Sequence, residues 1–213
     1  MPKKETILVI CAHSDDHILG AGGTIAQYAA EGKRVRVIVL SYGEKSHPWL
    51  RPRFTKDIRE RETHHADRIV GCRSTFFDLK EGSFPGGFAA IKGQLLALVK
   101  NLKPRKVFTH TNEDPHPDHL ATHAITLEVL QEARVKAEVY LFSIWNPFSL
   151  RKSHAPRLYV DTTHTFGKKI RAIRHFQSQR PAMLVLLWGI LARELKNGLH
   201  IGTRIAECFY RIQ

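Results

Sequence analysis

Apolar and polar positions alternate in blocks along this chain. Residues 6–12 (T-I-L-V-I-C-A) and 34–40 (R-V-R-V-I-V-L) are short runs rich in Ile and Val, the pattern of strands buried on both faces of a parallel sheet. Residues 16–31 between them read as a helix that stops at Gly32. The rhythm then repeats: a charged helix over 57–71 closed by Gly71, a strand over 75–79, a helix over 87–102, a strand over 106–110 and a helix over 118–133. Strands follow at 138–142 and 158–160, and a helix over 162–179 with Thr162 as its cap. Pro and Gly gather at 46–52, 82–87 and 113–117, which read as loops rather than domain linkers. The βαβαβα order predicts an α/β fold, a mostly parallel sheet with helices on both faces. No internal repeat interrupts it, and 213 residues suit a single domain spanning 1–213.

One apolar stretch, 183–192, stands outside this rhythm. It is about half the roughly 18 to 20 residues a membrane-spanning helix needs. It reads as a core helix, with a hydrophobic rim for a lipid-like substrate as the alternative. The first residues are polar and the run that follows is too short for a signal core. Cys11, Cys72 and Cys208 are scattered, odd in number and form no C-x-x-C pair. That pattern disfavours a disulfide framework and fits a reducing, cytoplasmic setting. The formal charge of +13 is unusual. Such a surface attracts polyanions, whether nucleic acid, anionic lipid headgroups or phosphorylated substrates, and its first reading is a solvated, generally cationic surface. The cations are spread along the chain and no nucleic-acid-binding signature accompanies them, so no specific nucleic acid is expected.

Chemistry concentrates in two loops. The strand at 6–12 runs directly into His13-Ser14-Asp15-Asp16-His17, where open α/β sheets bind ligands. One Asp at a helix start is commonly just a cap. Two adjacent carboxylates repel unless a cation or donors offset them. Gly20, Gly22 and Gly23 suggest a dinucleotide loop, but G-x-G-x-x-G from Gly20 would need glycine where Ile25 stands. An acidic turn also repels a pyrophosphate. The glycines are therefore expected to let the helix pack closely on the sheet, and the turn to hold a cation.

The strand at 106–110 leads into H-T-N-E-D-P-H-P-D-H, residues 110–119. Within it, Asp114, His116, Asp118 and His119 are stiffened by Pro115 and Pro117. A His and an Asp from the first loop with a His from the second would supply the three protein ligands of a catalytic zinc site, leaving one position for water. A nearby carboxylate could then take a proton from that water, and a further His could stabilise an oxyanion. The same ligand set also suits a ferrous oxygenase, so ligand count alone leaves hydrolase and oxygenase open.

At these residues the chain resembles the LmbE/PIG-L family of N-acetylglucosaminyl de-N-acetylases. The family's A-H-P-D-D-E…G-G-T motif is matched by A-H-S-D-D-H-I-L-G-A-G-G-T at 12–24, and its H-P-D-H by His116–His119. Weaker matches are S-Y-G-E at 41–44, Arg59-x-x-Glu62-x-x-x-Ala66, Lys169-x-x-Ala172-x-x-His175 and Ala206-Glu207-x-Phe209. The resemblance implies a Rossmann-like fold, a Zn2+ ion (or another divalent metal such as Fe2+) and hydrolysis of the acetamide of an N-acetylglucosamine conjugate to amine and acetate. It implies His13, Asp16 and His119 as metal ligands and Asp15 as general base. It further implies His116 as the oxyanion-stabilising residue, Asp118 as the carboxylate orienting that histidine, and Arg59 and Glu44 near the sugar. A homo-oligomer, trimer or hexamer, is implied as well. Two departures stand out. Ser14 replaces a proline, which loosens the turn slightly, and His17 replaces a glutamate, with consequences for metal preference, pocket charge or pH profile. The basic surface leaves room for a phosphorylated or lipid-linked substrate and for peripheral contact with anionic membrane. Other readings are a metal-dependent amidase on a different small amide, a non-heme iron oxygenase, and a nucleotide-binding module.

Overall fold

The structure is a computed structural model that describes residues 4–46, 51–145 and 156–213. Seven strands form one sheet: β1 (Thr6–Cys11), β2 (Arg34–Val39), β3 (Cys72–Phe76), β4 (Lys106–His110), β5 (Glu138–Phe142), β6 (Arg157–Asp161) and β7 (Ala206–Arg211). Six helices accompany them: α1 (Asp16–Ala30), α2 (Pro52–Val70), α3 (Phe84–Leu102), α4 (Pro117–Ala133), α5 (Phe166–Ile173) and α6 (Arg180–His200). The sheet order is β3-β2-β1-β4-β5-β7-β6. The first five strands are parallel, and β7 enters antiparallel between β5 and β6.

Period-two alternation in the central strand divides the core. Ile7, Val9 and Cys11 face a cluster holding Ile18 and Ile25 of α1, Val70 of α2, Ala172 of α5 and Ile190 of α6. Leu8 and Ile10 face the opposite cluster, with Phe84, Leu95 and Val99 of α3 and Ile125 and Val129 of α4. Both faces of the sheet are thus covered, as a parallel sheet requires. The α1 glycines do bring that helix close to its neighbours. A Cβ on Gly20 would collide with the Phe142 ring, and one on Gly23 would lie 2.7 Å from Thr162 Cγ2.

Several boundaries differ from the sequence reading, mostly through proline. Pro52, Pro85, Pro117 and Pro181 each sit in the first turn of a helix, where a missing N–H costs nothing. Much of 82–87 is therefore the start of α3 rather than loop, and α2 begins five residues early. Residues 47–50 of the loop expected at 46–52 lie outside the described residues. β3 starts at Cys72 because that residue pairs with Val35 of β2. The helix expected over 162–179 is shorter: Thr165, not Thr162, stands at its N-cap, α5 ends at Ile173, and a 3-10 turn at Gln177–Gln179 leads into α6. No strand was anticipated at β7.

Candidate metal centre and catalytic cavity

Neighbouring strands β1 and β4 end side by side, and their exits form the site. β1 delivers His13, and the start of α1 delivers Asp15 and Asp16. β4 ends in His110, and the following turn brings Asp114, His116, Asp118 and His119. The His13 backbone N–H donates to Asp16 Oδ2 at 2.7 Å, closing the first loop.

Ring nitrogens converge on Asp16 Oδ2. His13 Nδ1 and His119 Nε2 each lie 3.5 Å from it. Ligand nitrogens and oxygens held at zinc-bond length in a tetrahedron lie about 3.4 Å apart. His119 Nε2 is buried and has no hydrogen-bond partner, the condition of a polar atom whose partner is an ion. The far nitrogen of each ring faces a carboxylate. His13 Nε2 is 3.2 Å from Asp118 Oδ2. His119 Nδ1 is 3.0 Å from Asp114 Oδ1, off the line of an ideal hydrogen bond. Carboxylates behind histidine ligands fix tautomer and ring orientation. His13, Asp16 and His119 thus fit a divalent metal, and their ligand atoms form one of the groups close enough to share one. His110 Nε2 also lies 3.2 Å from Asp16 Oδ2 and accepts the Ala12 N–H at 3.0 Å, and its ring stacks on His119 with centroids 3.9 Å apart.

Electrostatics follow the same arrangement. Burial alone would raise the Asp16 carboxyl, but His119 and His110 hold it well below the usual carboxylate range. Burial would likewise lower His13, yet Asp118 and Asp16 raise it to about 10 without an ion present. An incoming cation must displace that proton, so the loop is built for positive charge. His110 is pushed down to about 4 by burial and by His119. His116 is lowered by burial, then by His119 and His13.

The adjacent carboxylate Asp15 has a different neighbour. Its Oδ1 lies 3.3 Å from Arg59 Nη2. Arg59 comes from α2 and also donates Nε–H to Ser14 Oγ at 2.8 Å, while Thr63 Oγ1 donates to the Ser14 carbonyl at 3.0 Å. The serine that stands in place of proline is therefore tied to α2. His116 Nδ1 accepts the Asp118 N–H at 3.2 Å, which leaves Nε2–H as a donor. Asp15, Arg59, His116 and Glu81 line a cleft that holds His13 and Asp16, walled by Trp145, Met183 and Leu186.

A family model described as GlcNAc-PI de-N-acetylase, PIG-L, matches residues 8–130. The chain belongs to this family. Among curated PIG-L-like relatives, a 4-oxalmesaconate hydratase of Pseudomonas putida is 29% identical over 201 residues, 83% of this chain and 74% of that protein. A mycothiol S-conjugate amidase of Streptomyces coelicolor is 26% identical over 60% of this chain. A 1D-myo-inositol 2-acetamido-2-deoxy-alpha-D-glucopyranoside deacetylase of Actinosynnema mirum is 27% identical over 63%. The chain spans only 52% and 58% of those last two proteins. Two solved structures share the fold. A 4-carboxy-2-hydroxymuconate hydratase of Pseudomonas putida has TM-score 0.84 at 23% identity, covering 98% of this chain and 96% of that one. An N,N'-diacetylchitobiose deacetylase of Pyrococcus horikoshii has TM-score 0.82 at 21% identity, covering 98% and 84%.

Within the PIG-L site, four placements add to the sequence reading. The Asp118 carboxylate meets His13, not His116, and is anchored by the Gly82 N–H at 2.9 Å. Glu44 lies outside the cleft lining, accepting from Ser41 Oγ at 3.2 Å and from the Glu81 N–H at 3.1 Å. It thereby shapes the turn that carries Glu81. His17 faces away from the cleft, fully buried, with Nε2 3.0 Å from Asp67 Oδ1 of α2. Asp114 and His110 were given no role from sequence. The available signal was that both fall in the run 110–119, Asp114 five residues before His119.

Proposed function

We propose that the chain is a zinc-dependent de-N-acetylase acting on an N-acetylglucosamine-containing conjugate. The observation that supports it most is the pair of carboxylate-backed rings, His13 and His119, spaced with Asp16 as edges of a tetrahedron beside Asp15 and His116. His13, Asp16 and His119 would hold the ion, which when bound polarises the acyl carbonyl and acidifies a water. Asp15 accepts the proton of the attacking water. Arg59 holds the Asp15 carboxylate toward the cleft. The His116 Nε2–H donates to the developing oxyanion and then toward the departing nitrogen. The C–O bond to acetyl forms, the C–N bond breaks, and acetate and a free amine leave. Trp145, Met183 and Leu186 offer an apolar wall to the sugar face or aglycone.

A second reading is hydration of an unsaturated acid, favoured by the hydratase that aligns with most of the chain. Among the described residues of the cleft lining, Arg59 is the sole Lys or Arg, and it already meets Asp15, while Asp15, Asp16 and Glu81 are acidic. A polycarboxylate suits that lining less well than a neutral acetamide does. The test is acetate release from a panel of N-acetylglucosaminides, with loss of ultraviolet absorbance of conjugated hydroxy-acids run in parallel. Chelation should abolish turnover and zinc should restore it. Asp15→Ala should lower kcat by roughly 10² to 10⁴ while binding one zinc. Full activity in the chelated protein or in Asp15→Ala overturns the proposal, and hydration without acetate release selects the second reading.

A further inference from the structure

Helix α6 is apolar on two sides. Its inner side, with Met183, Ile190 and the buried Glu194, packs into the protein. Its outer side carries Leu184, Val185, Trp188, Leu195 and Leu199, with Trp188 75% exposed and Leu199 80% exposed. At about 100° per residue, Leu195, Trp188, Leu199 and Ala192 all fall inside the arc bounded by Leu184 and Val185. Lys196, His200 and Arg193 come next beyond Val185. The other large exposed apolar side chains among the described residues are Phe54, Leu120 and Ile212, each single, Trp145 of the cleft wall, and Ile201 at the C-cap of α6. An apolar patch of this extent on one helix marks a surface that meets another apolar phase.

The charges on α6 indicate which phase. Arg180, Arg193 and Lys196 are its cations, and its single acid, Glu194, is buried against Lys169 at 2.5 Å. Every charge that α6 presents outward is therefore positive, on a chain of formal charge +13. A second copy of the chain would bring the same cations against themselves. An anionic bilayer complements them, and a helix with a Trp- and Leu-bearing arc beside a basic edge is the form that lies in a membrane interface. No helix among the described residues is long and apolar enough to cross a membrane, so the contact is peripheral.

We propose that the outer face of α6 docks the protein onto an anionic lipid bilayer. Met183 and Leu186 of the same helix line the catalytic cleft, so docking places the cleft wall at the membrane surface. The inference stands on α6 alone and does not depend on the acyl substrate. The test uses the whole 213-residue chain and flotation with phosphatidylcholine vesicles, with and without phosphatidylglycerol. Such vesicles contain no acetamide sugar, so binding is read apart from catalysis. Flotation is expected with phosphatidylglycerol at low salt and should decline as salt rises. Replacing Val185 and Trp188 together by aspartate should weaken partitioning by more than about tenfold, since each buries a large apolar side chain. Arg180→Glu with Lys196→Glu should weaken it by at least roughly fivefold per cation on anionic vesicles. Absence of flotation of the wild type at low salt with phosphatidylglycerol overturns the proposal. So does a stable oligomer in sedimentation that the Val185/Trp188 double substitution dissociates, which would make the face a contact between copies.

Discussion

Asp118→Asn keeps the side-chain volume and removes one charge behind His13. In the structure that charge lies 3.2 Å from His13 Nε2, both groups buried, and accepts the Gly82 N–H at 2.9 Å. A hydrogen bond to a charged group contributes about 1.5–3 kcal/mol. Loss of a carboxylate behind a metal-binding histidine typically weakens metal binding 10- to 100-fold, or about 1.4–2.8 kcal/mol. The two magnitudes agree, so the zinc Kd of Asp118→Asn should rise 10- to 100-fold. The asparagine oxygen can still accept from Gly82, so the fold should hold. Competition with a chromophoric chelator measures the Kd, and steady-state kinetics at saturating zinc separates occupancy from turnover. His116→Ala provides the contrast, with its Kd for zinc near wild type and its kcat lowered. If Asp118→Asn binds zinc like wild type but loses kcat as His116→Ala does, the carboxylate acts on His116 and the placement against His13 has no functional consequence.

Two other perturbations test buried charge. Burial raises Glu194 from its ordinary 4.5 to about 7, with Lys169 opposing. Between those values the folded state keeps a proton the unfolded chain has released. The stability from this group is thus full below about pH 4.5 and falls as pH rises through about 7, by at most about 3 kcal/mol. Urea unfolding at pH 5 and pH 8 should show a steeper loss for wild type than for Glu194→Gln, and equal slopes would refute it. His17→Glu would set a carboxylate where His17 Nε2 now lies 3.0 Å from Asp67 Oδ1. It should cost about 3–5 kcal/mol, largely recovered by adding Asp67→Asn; thermal melts without that recovery would count against the pair.

The parallel half of the sheet was legible because strands buried on both faces need apolar, β-favouring residues: β1 and β2 have runs of Ile and Val, and β4 and β5 have Val with aromatic residues. The other elements failed for particular reasons. β7 alternates poorly: Glu207 is buried because its carboxylate accepts the Gly23 and Thr24 N–H groups at 3.0 and 2.8 Å and also meets Lys169. A buried ion pair reads as polar surface in a one-dimensional pattern. α6 showed only its apolar centre, since its cations and Glu194 blur the ends. Its second apolar face breaks the rule that a surface helix turns polar residues outward, and the proposed bilayer contact rests on that departure.

The adjacent carboxylates were the clearest signal in the sequence, and the structure shows how they coexist. Asp16 is surrounded by imidazoles from β1, β4 and α4, so its charge is offset by groups that can also hold an ion. Asp15, one residue earlier, leans on Arg59 from α2 instead. One turn of chain therefore divides two like charges between two separate cationic environments, which residue order cannot reveal because Arg59 stands 44 positions away. Ser14 and His17 flank the pair, and both reach α2: Ser14 through Arg59 and Thr63, His17 through Asp67. The two departures from the family pattern thus face the same helix. They change how α2 is fastened to the acidic turn and leave every proposed ligand and the proposed base in place.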